Sequence, residues 1–292
     1  HRLVKDMKRR VAVLHHETHY HRKTPYLIDF LIDIWRASGI EVIEVFGTSD
    51  FIPADVAILH IDVSVVPDTY LHFASQYPVV LNNLVKDICK ATISLHLVSG
   101  DSPYQGPVIV KSNLNSAGYP ERLIEHLESK PSPTLLQRLG RWITPRPTRP
   151  PVFQSNQDYQ IFDRLSDVPR SFFNNSEVVV EKFFPQMEDG LYCVQNYVVL
   201  GKNGYGTFLA GEQPIVNVGT CKRFEINEPA SEIIQYCTHH QIEYGKIDYV
   251  MSDGKAIVLD VNKTVGAGNF SRPAALFKCY EHLASGIYAY FG

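Results

Sequence analysis

The stretch KIDYVMSDGKAIVLDVNK, residues 246–263, sets two apolar-rich runs on either side of Ser252-Asp253-Gly254-Lys255. Such runs around a turn signal form an antiparallel hairpin, because side chains alternate faces with a period of two. Pairing Asp248 with Asp260 and Ser252 with Ala256, around a loop of Asp253 to Lys255, gathers Ile247, Tyr249, Met251, Ile257, Leu259 and Val261 on one apolar face. The other face then carries Asp248, Val250, Val258, Asp260 and Asn262. A two-residue Asp-Gly turn shifts the pairing by one and mixes the faces, so the three-residue loop is expected. It places Lys255 where such loops favour glycine. Two carboxylates and an amide at one end of a strand face are hard oxygen donors. They suit Mg²⁺ when substrate phosphates complete the shell. A solvated strand face with the same acids is the alternative.

The rest of the chain supplies a frame for that hairpin. Arg10 to Leu14, EVIEVF, DVAILHI and PVVLN read as strands, and residues 25–38 have helical periodicity with Gly39 as the stop. This is an α/β domain over residues 1–83. PVIVK, ending at Lys111, opens a second region, followed by a helix from Pro120 through ERLIEHLES. Residues 158–169 read as helical. EVVVEKFF and the pair LYCVQNYVVL and YGTFLAG read as long strands, a helix covers 229–241, and AALFKCYEHLASGIYAYF closes the chain as an amphipathic helix. The fold class is α/β followed by α+β. The second domain, 84–292, divides into a lid-bearing part, 84–183, and an antiparallel part, 184–292. Residues 129–157 hold six prolines, five cations (Lys130, Arg138, Arg141, Arg146 and Arg149) and no acid, and read as an extended, exposed insert rather than core.

Composition excludes several classes. A net charge of −3 gives no basic excess for nucleic acid. No apolar run approaches the roughly 20 residues that span a bilayer. The basic start is followed by VAVL, too short for a signal-peptide core. A chain starting at His1 is expected to be a processed, tagged or trimmed product. Cys89, Cys193, Cys221, Cys237 and Cys279 are scattered, with no CxxC pair. A zinc or disulfide framework is therefore not expected, and a reduced, cytoplasmic setting is.

Three pieces carry chemistry. Lys111 ends an apolar strand beside the small-residue loop SNLNSAG, where a cation can neutralise phosphates. Val178 to Phe184 runs an apolar strand into an aromatic segment whose backbone can read an adenine edge. The acidic hairpin is the third. In this order, PVIVKSNLNSAG, VEKFF, and Gly245-Lys246-Ile247-Asp248 with Asp260-Val261-Asn262 resemble the ATP-grasp superfamily, particularly D-alanine–D-alanine ligases and glutathione synthetases. The resemblance covers residues 80–292 and implies an ATP-grasp fold behind an N-terminal α/β (pre-ATP-grasp) domain.

It also implies roles. Lys111 would contact the α/β-phosphates, Glu181 the adenine amino group, and Lys182 and Phe184 would supply the hinge backbone. Glu188 falls where relatives bind ribose. Lys90 matches a second phosphate lysine, with Lys86 as its competitor. Asp248, Asp260 and Asn262 would hold Mg²⁺ (or Mn²⁺), while Lys246 and Arg223 would act on the transferred phosphate and the triphosphate. The implied activity joins a small-molecule carboxylate to an amine or thiol through an acylphosphate, with neither nucleic acid nor membrane as partner and with room for a homodimer.

The departures keep other readings open. Asp260 stands where most ligases have Glu, and the segment after Asn262 reads KTVGAGN instead of the common small-Pro-Gly. An Asp-x-Asn pair is also similar to inositol polyphosphate kinases of this superfamily, for which the basic insert could meet an anionic substrate or be a solvated lid. A non-catalytic nucleotide-binding protein is the third reading. The loop HHETHYH (His15, His16, His19, His21) invites a metal reading but is not HExxH; it otherwise lines the substrate side of the first domain or is solvated.

Overall fold

Val11 to Leu14 are fully buried, as strands of a parallel sheet covered on both faces must be. They belong to β1 (Arg10–His15) in a sheet with β2 (Glu41–Phe46), β3 (Val56–His60) and β4 (Val80–Leu81), in the order β2-β1-β3-β4. Leu27, Ile28, Leu31, Ile32 and Trp35 line the buried stripe of α1 (Leu27–Ala37), and Gly39 at φ 85° ends it as expected. The helix α2 (Asp68–Ala74) packs Tyr70, Phe73 and Ala74 into the core on Ala12, Leu14, Ala57 and Leu59. The computed structural model describes residues 9–21, 25–128, 152–267 and 273–292. They fall into two compact units, one of His1–Ile88, Thr92–Ser94 and Phe184–Gly292, the other of Cys89–Ala91 and Leu95–Phe183.

After the short helix α3 (Lys90–Ile93), the second unit is built on β5 (Val108–Ser112), followed by α4 (Tyr119–Glu128). Residues 158–169, expected as helix, hold β6 (Gln160–Phe162) between two 3₁₀ turns. Pairing of Gln160 to Phe162 with Val110 to Val108 overrides a weak helical period, and Pro169 disfavours the α conformation at Val168. A short α5 (Arg170–Phe173) leads to β7 (Val178–Lys182), giving the sheet order β6-β5-β7. The insert is corrected at one point. Phe153 is 3% exposed and lies in this unit's core, with Val108, Val110, Val178 and Val180. Residues 129–151, including the five cations, lie outside the described residues.

The first unit resumes with β8 (Gln186–Glu188), β9 (Leu191–Leu200), β10 (Asn203–Gly211), β11 (Arg223–Asn227), α6 (Ser231–His239), β12 (Tyr244–Ser252), β13 (Lys255–Asn262) and α7 (Ala274–Ser285). These strands form an antiparallel sheet in the order β11-β10-β9-β12-β13, with β8 on β9. The expected closing helix stops early, at Gly286, and continues as a 3₁₀ turn. A Cβ there would meet the Leu200 carbonyl oxygen at 2.1 Å, so only glycine lets the chain pass so close to β9. Trp35 Nε1 donates to the Ala284 carbonyl at 2.8 Å, tying α1 to α7 inside one core.

None of the five cysteines is in a disulfide. Among the described residues no helix is long and apolar enough to cross a membrane.

Candidate functional site

The β12–β13 hairpin departs from the expected register in an informative way. Asp248 does pair with Asp260, but Ser252 pairs with Lys255 around a two-residue turn, Asp253-Gly254, with φ of 50° and 74°. Both conditions hold because the register shifts between Asp248 and Tyr249, which pair with Asp260 and Val258 and leave Leu259 as the bulged residue. The bulge resolves the conflict between turn and faces. Val258 and Ala256, rather than Leu259 and Ile257, join Ile247, Tyr249, Met251 and Val261 against the core. Lys246 pairs with Asn262 on the polar side.

That polar side carries two hydrogen-bonded sets. Asp248 Oδ1 accepts from Asn196 Nδ2 at 2.6 Å and from Lys246 Nζ at 2.9 Å. Burial opposes the Lys246 charge, but the Asp248 and Asp260 carboxylates more than offset it and raise its pKa. Thr207 Oγ1 donates to Asn196 Oδ1 at 3.2 Å. At the other end, Asn262 Oδ1 accepts from the Thr264 backbone N–H at 2.9 Å, and Thr264 Oγ1 donates to Asp62 Oδ1 at 2.5 Å. The Tyr26 hydroxyl donates to the second Asp62 oxygen. Asp248, Asp260 and Asn262 all offer oxygen donors, the type that suits Mg²⁺, and Lys246 Nζ occupies one of them, Asp248 Oδ1.

In the second unit, alternation along β5 and β7 sends Val108, Val110, Val178 and Val180 into the core and leaves Lys111 and Glu181 on the opposite face. Lys111 Nζ lies 2.7 Å from Glu181 Oε2, with both residues buried. Glu181 Oε1 is also buried and takes no hydrogen bond among the described residues, an acceptor available to a ligand N–H. His96 lies close by; burial lowers its pKa, with Glu181 opposing and Lys182 and Lys111 reinforcing the shift. The Lys182 and Phe183 backbone N–H groups donate to His96 and Pro107 carbonyls, and Lys182 Nζ sits 4.9 Å over the Tyr104 ring. Lys90 is buried and donates from Nζ to the Leu114 carbonyl at 3.3 Å, under the SNLNSAG loop. Its competitor Lys86 pairs instead with Asp68 at 2.6 Å, in the other unit. In the loop itself Ser116, Ala117 and Gly118 run at positive φ, with Ala117 buried.

Glu188 and Arg223, given separate roles from the sequence, form an ion pair with each other. Arg223 also meets Asp189 at 3.3 Å and Glu225 at 3.2 Å, and its guanidinium stacks 4.8 Å over Phe208. Phe184 opens the segment of the first unit that follows β7.

Several polar residues around the hairpin escaped the sequence reading: Asn196, Thr207, Thr264, Asp62 and Tyr26. So did the buried Lys263, whose Nζ donates to the Val85 and Lys86 carbonyls at 3.2 and 3.3 Å. Asn196 had a usable signal. It interrupts LYCVQNYVVL just as Asp248 interrupts its own strand.

No family model matches the sequence, and no curated protein does. Solved structures do match. A RimK-domain ATP-grasp protein from Sphaerobacter thermophilus shares 13% identity over 97% of this chain and 99% of its own, with a TM-score of 0.45. The D-alanine–D-alanine ligase of Bacillus anthracis shares 13% over 96% of each chain, with a TM-score of 0.47. The macrocyclase MdnC from Microcystis aeruginosa, bound with its precursor peptide MdnA, shares 10% over 94% and 98%, with a TM-score of 0.46. The chain is similar along nearly its whole length to ATP-grasp proteins. Similarity at this level assigns no role to any side chain; the roles rest on the two residue sets above.

Proposed function

We propose that this chain is an ATP- and Mg²⁺-dependent ligase joining a carboxylate to an amine or thiol. One observation carries the reading: Asp248 pairs with Asp260 and Lys246 with Asn262 at one end of a strand face, with Lys246 Nζ on Asp248. A purely structural face would not need two carboxylates side by side, since like charges directly opposite are destabilising.

In this reading Glu181 Oε1 accepts the exocyclic N–H of adenine, and Lys111 neutralises the α/β-phosphates with Lys90 behind the loop. The Lys182 and Phe184 backbone flanks the ring, and Glu188 takes the ribose hydroxyls. Asp248, Asp260 and Asn262 would hold Mg²⁺, which when bound neutralises phosphate charge. A substrate carboxylate oxygen forms a bond to the γ-phosphorus as the bond to the bridging oxygen breaks and ADP leaves. The amine or thiol then attacks the acyl carbon, loses its proton, and expels phosphate. Lys246 stabilises charge on the transferring group and Arg223 faces the triphosphate, so positioning and electrostatics suffice and no side-chain nucleophile takes part. Cysteines outside any disulfide fit a reducing compartment, and a cytoplasmic setting belongs to the proposal.

Titration calorimetry with a non-hydrolysable ATP analogue and Mg²⁺ tests the nucleotide step. Wild type is expected to bind and Asp260→Ala to lose the Mg²⁺-dependent part; binding unchanged in Asp260→Ala overturns the assignment. Phosphate release across acid and amine panels tests the reaction. Release that needs both partners supports a ligase, and transfer to an alcohol without an amine overturns it in favour of a kinase.

A further inference from the structure

His15 is the last residue of β1 and His60 the last of β3, and the parallel register pairs them directly. Both are fully buried on the sheet face that continues Val11, Val13, Val56 and Ile58. The chain leaves β1 into a 3₁₀ turn over Glu17–His21, which returns His19, 8% exposed, onto the same spot. His15, His16 and His19 are thus buried, not solvated. The His15 and His19 ring centroids are 4.0 Å apart, and those of His15 and His60 are 5.3 Å apart. One nitrogen from each of the three imidazoles lies within 4.8 Å of the others. His16 does not belong to this set, because its Nδ1 is engaged by Thr18 Oγ1 at 2.8 Å.

We propose that His15, His19 and His60 form a three-imidazole site for a borderline divalent transition metal such as Zn²⁺, with one coordination position left for an exogenous ligand. Neutral imidazole is the common donor for this class of ion, and three histidines with an open fourth position make a tetrahedral site. Zinc–nitrogen bonds of about 2.0–2.1 Å put tetrahedral donors about 3.4 Å apart, so small ring rotations close the set. A carboxylate stands behind one ring: His15 Nε2 faces Glu44 Oε1 at 3.6 Å, which leaves Nδ1 as the His15 donor. Glu44 is itself held by Arg36 at 3.1 Å. A carboxylate behind a ligating histidine fixes ring orientation and raises ligand basicity. Phe46, stacked 5.0 Å from His15, and Tyr26, 5.1 Å from His60, wall the site with aromatic rings. The position at strand C-termini of a parallel sheet is where such sheets gather ligands. The site rests on nothing in the nucleotide reading.

The test uses the full chain without nucleotide. Titration with Co²⁺ is expected to give intense visible d–d bands at one cobalt per chain, bleached by Zn²⁺. The chain has 12 histidines, so variants decide which bind. His15→Asn and His60→Asn should abolish the bands, Glu44→Gln should weaken affinity roughly 10–100-fold, and His16→Asn should leave them intact. Bands unaltered by the His15→Asn/His60→Asn pair, or no bands in wild type, overturn the site. X-ray absorption of the zinc-loaded wild type gives a readout independent of variant folding. Three imidazole nitrogens at about 2.0–2.1 Å are expected, and a shell with fewer overturns the proposal.

Discussion

Asp248 and Asp260 pair across a hairpin whose turn contains only Asp253 and Gly254, and the single extra residue that reconciles the two lies at Leu259. A regular ladder from that turn would set Asp260 on the face of Tyr249 and Ile247, inside the core. The bulge turns it back beside Asp248.

The turn should report its own geometry. Asp253 and Gly254 both sit at positive φ, with open space around Gly254, so conformation rather than crowding decides what fits. Asp253→Asn is expected to be neutral or stabilising by a few tenths of a kcal/mol, since Asn-Gly suits the same turn. Gly254→Val should cost at least about 1–2 kcal/mol from the left-handed penalty. Urea denaturation of the two variants measures both.

The Lys111–Glu181 pair should separate folding from binding. Both side chains are at most 7% exposed, so Glu181→Gln takes the facing carboxylate away from a buried ammonium. A loss of about 3–5 kcal/mol is expected. The double variant Lys111→Met/Glu181→Leu removes both charges and should regain most of that stability. It should still fail to bind MgATP. A double variant as unstable as Glu181→Gln, or one that binds nucleotide normally, contradicts this account.

Glu243 should impose a pH dependence. Burial raises its pKa from 4.5, against the hydrogen bonds it accepts from the Asn82 N–H, at 2.8 Å, and from Tyr290. The folded form therefore holds the proton more tightly than the unfolded chain. Its contribution is fully present below the unfolded value near 4.5 and is lost as pH rises through the folded value. Glu243→Gln keeps an acceptor without the charge and should flatten this segment of the profile. Denaturation midpoints of both proteins across mildly acidic to neutral pH check the sign.

Alternation with a buried apolar face puts Asp248 opposite Asp260, whereas Lys111 and Glu181 stand out as a strand-end cation and through the family resemblance, and the structure sets them on the faces opposite the valine core. The hairpin pairing depends only on a period of two within residues 246–263, whereas residues 107–111 and 178–184 gain meaning only from their order with it. The same reasoning failed where a local rule met a tertiary one: at Leu259, where the turn and the buried face demanded different registers, and at residues 158–169, where pairing with β5 displaced a helix. It could not find partners far apart in sequence. Asp62 reaches Thr264 across 202 positions, and His15 meets His60 because a parallel sheet sets distant strand ends side by side. The sequence by itself determined which side chains alternate within a regular run of strand, but not that a bulge at Leu259 exchanges the faces of β13. Only the tertiary structure decided which faces meet, because that choice depends on burying apolar surface contributed by segments that carry no mark of one another.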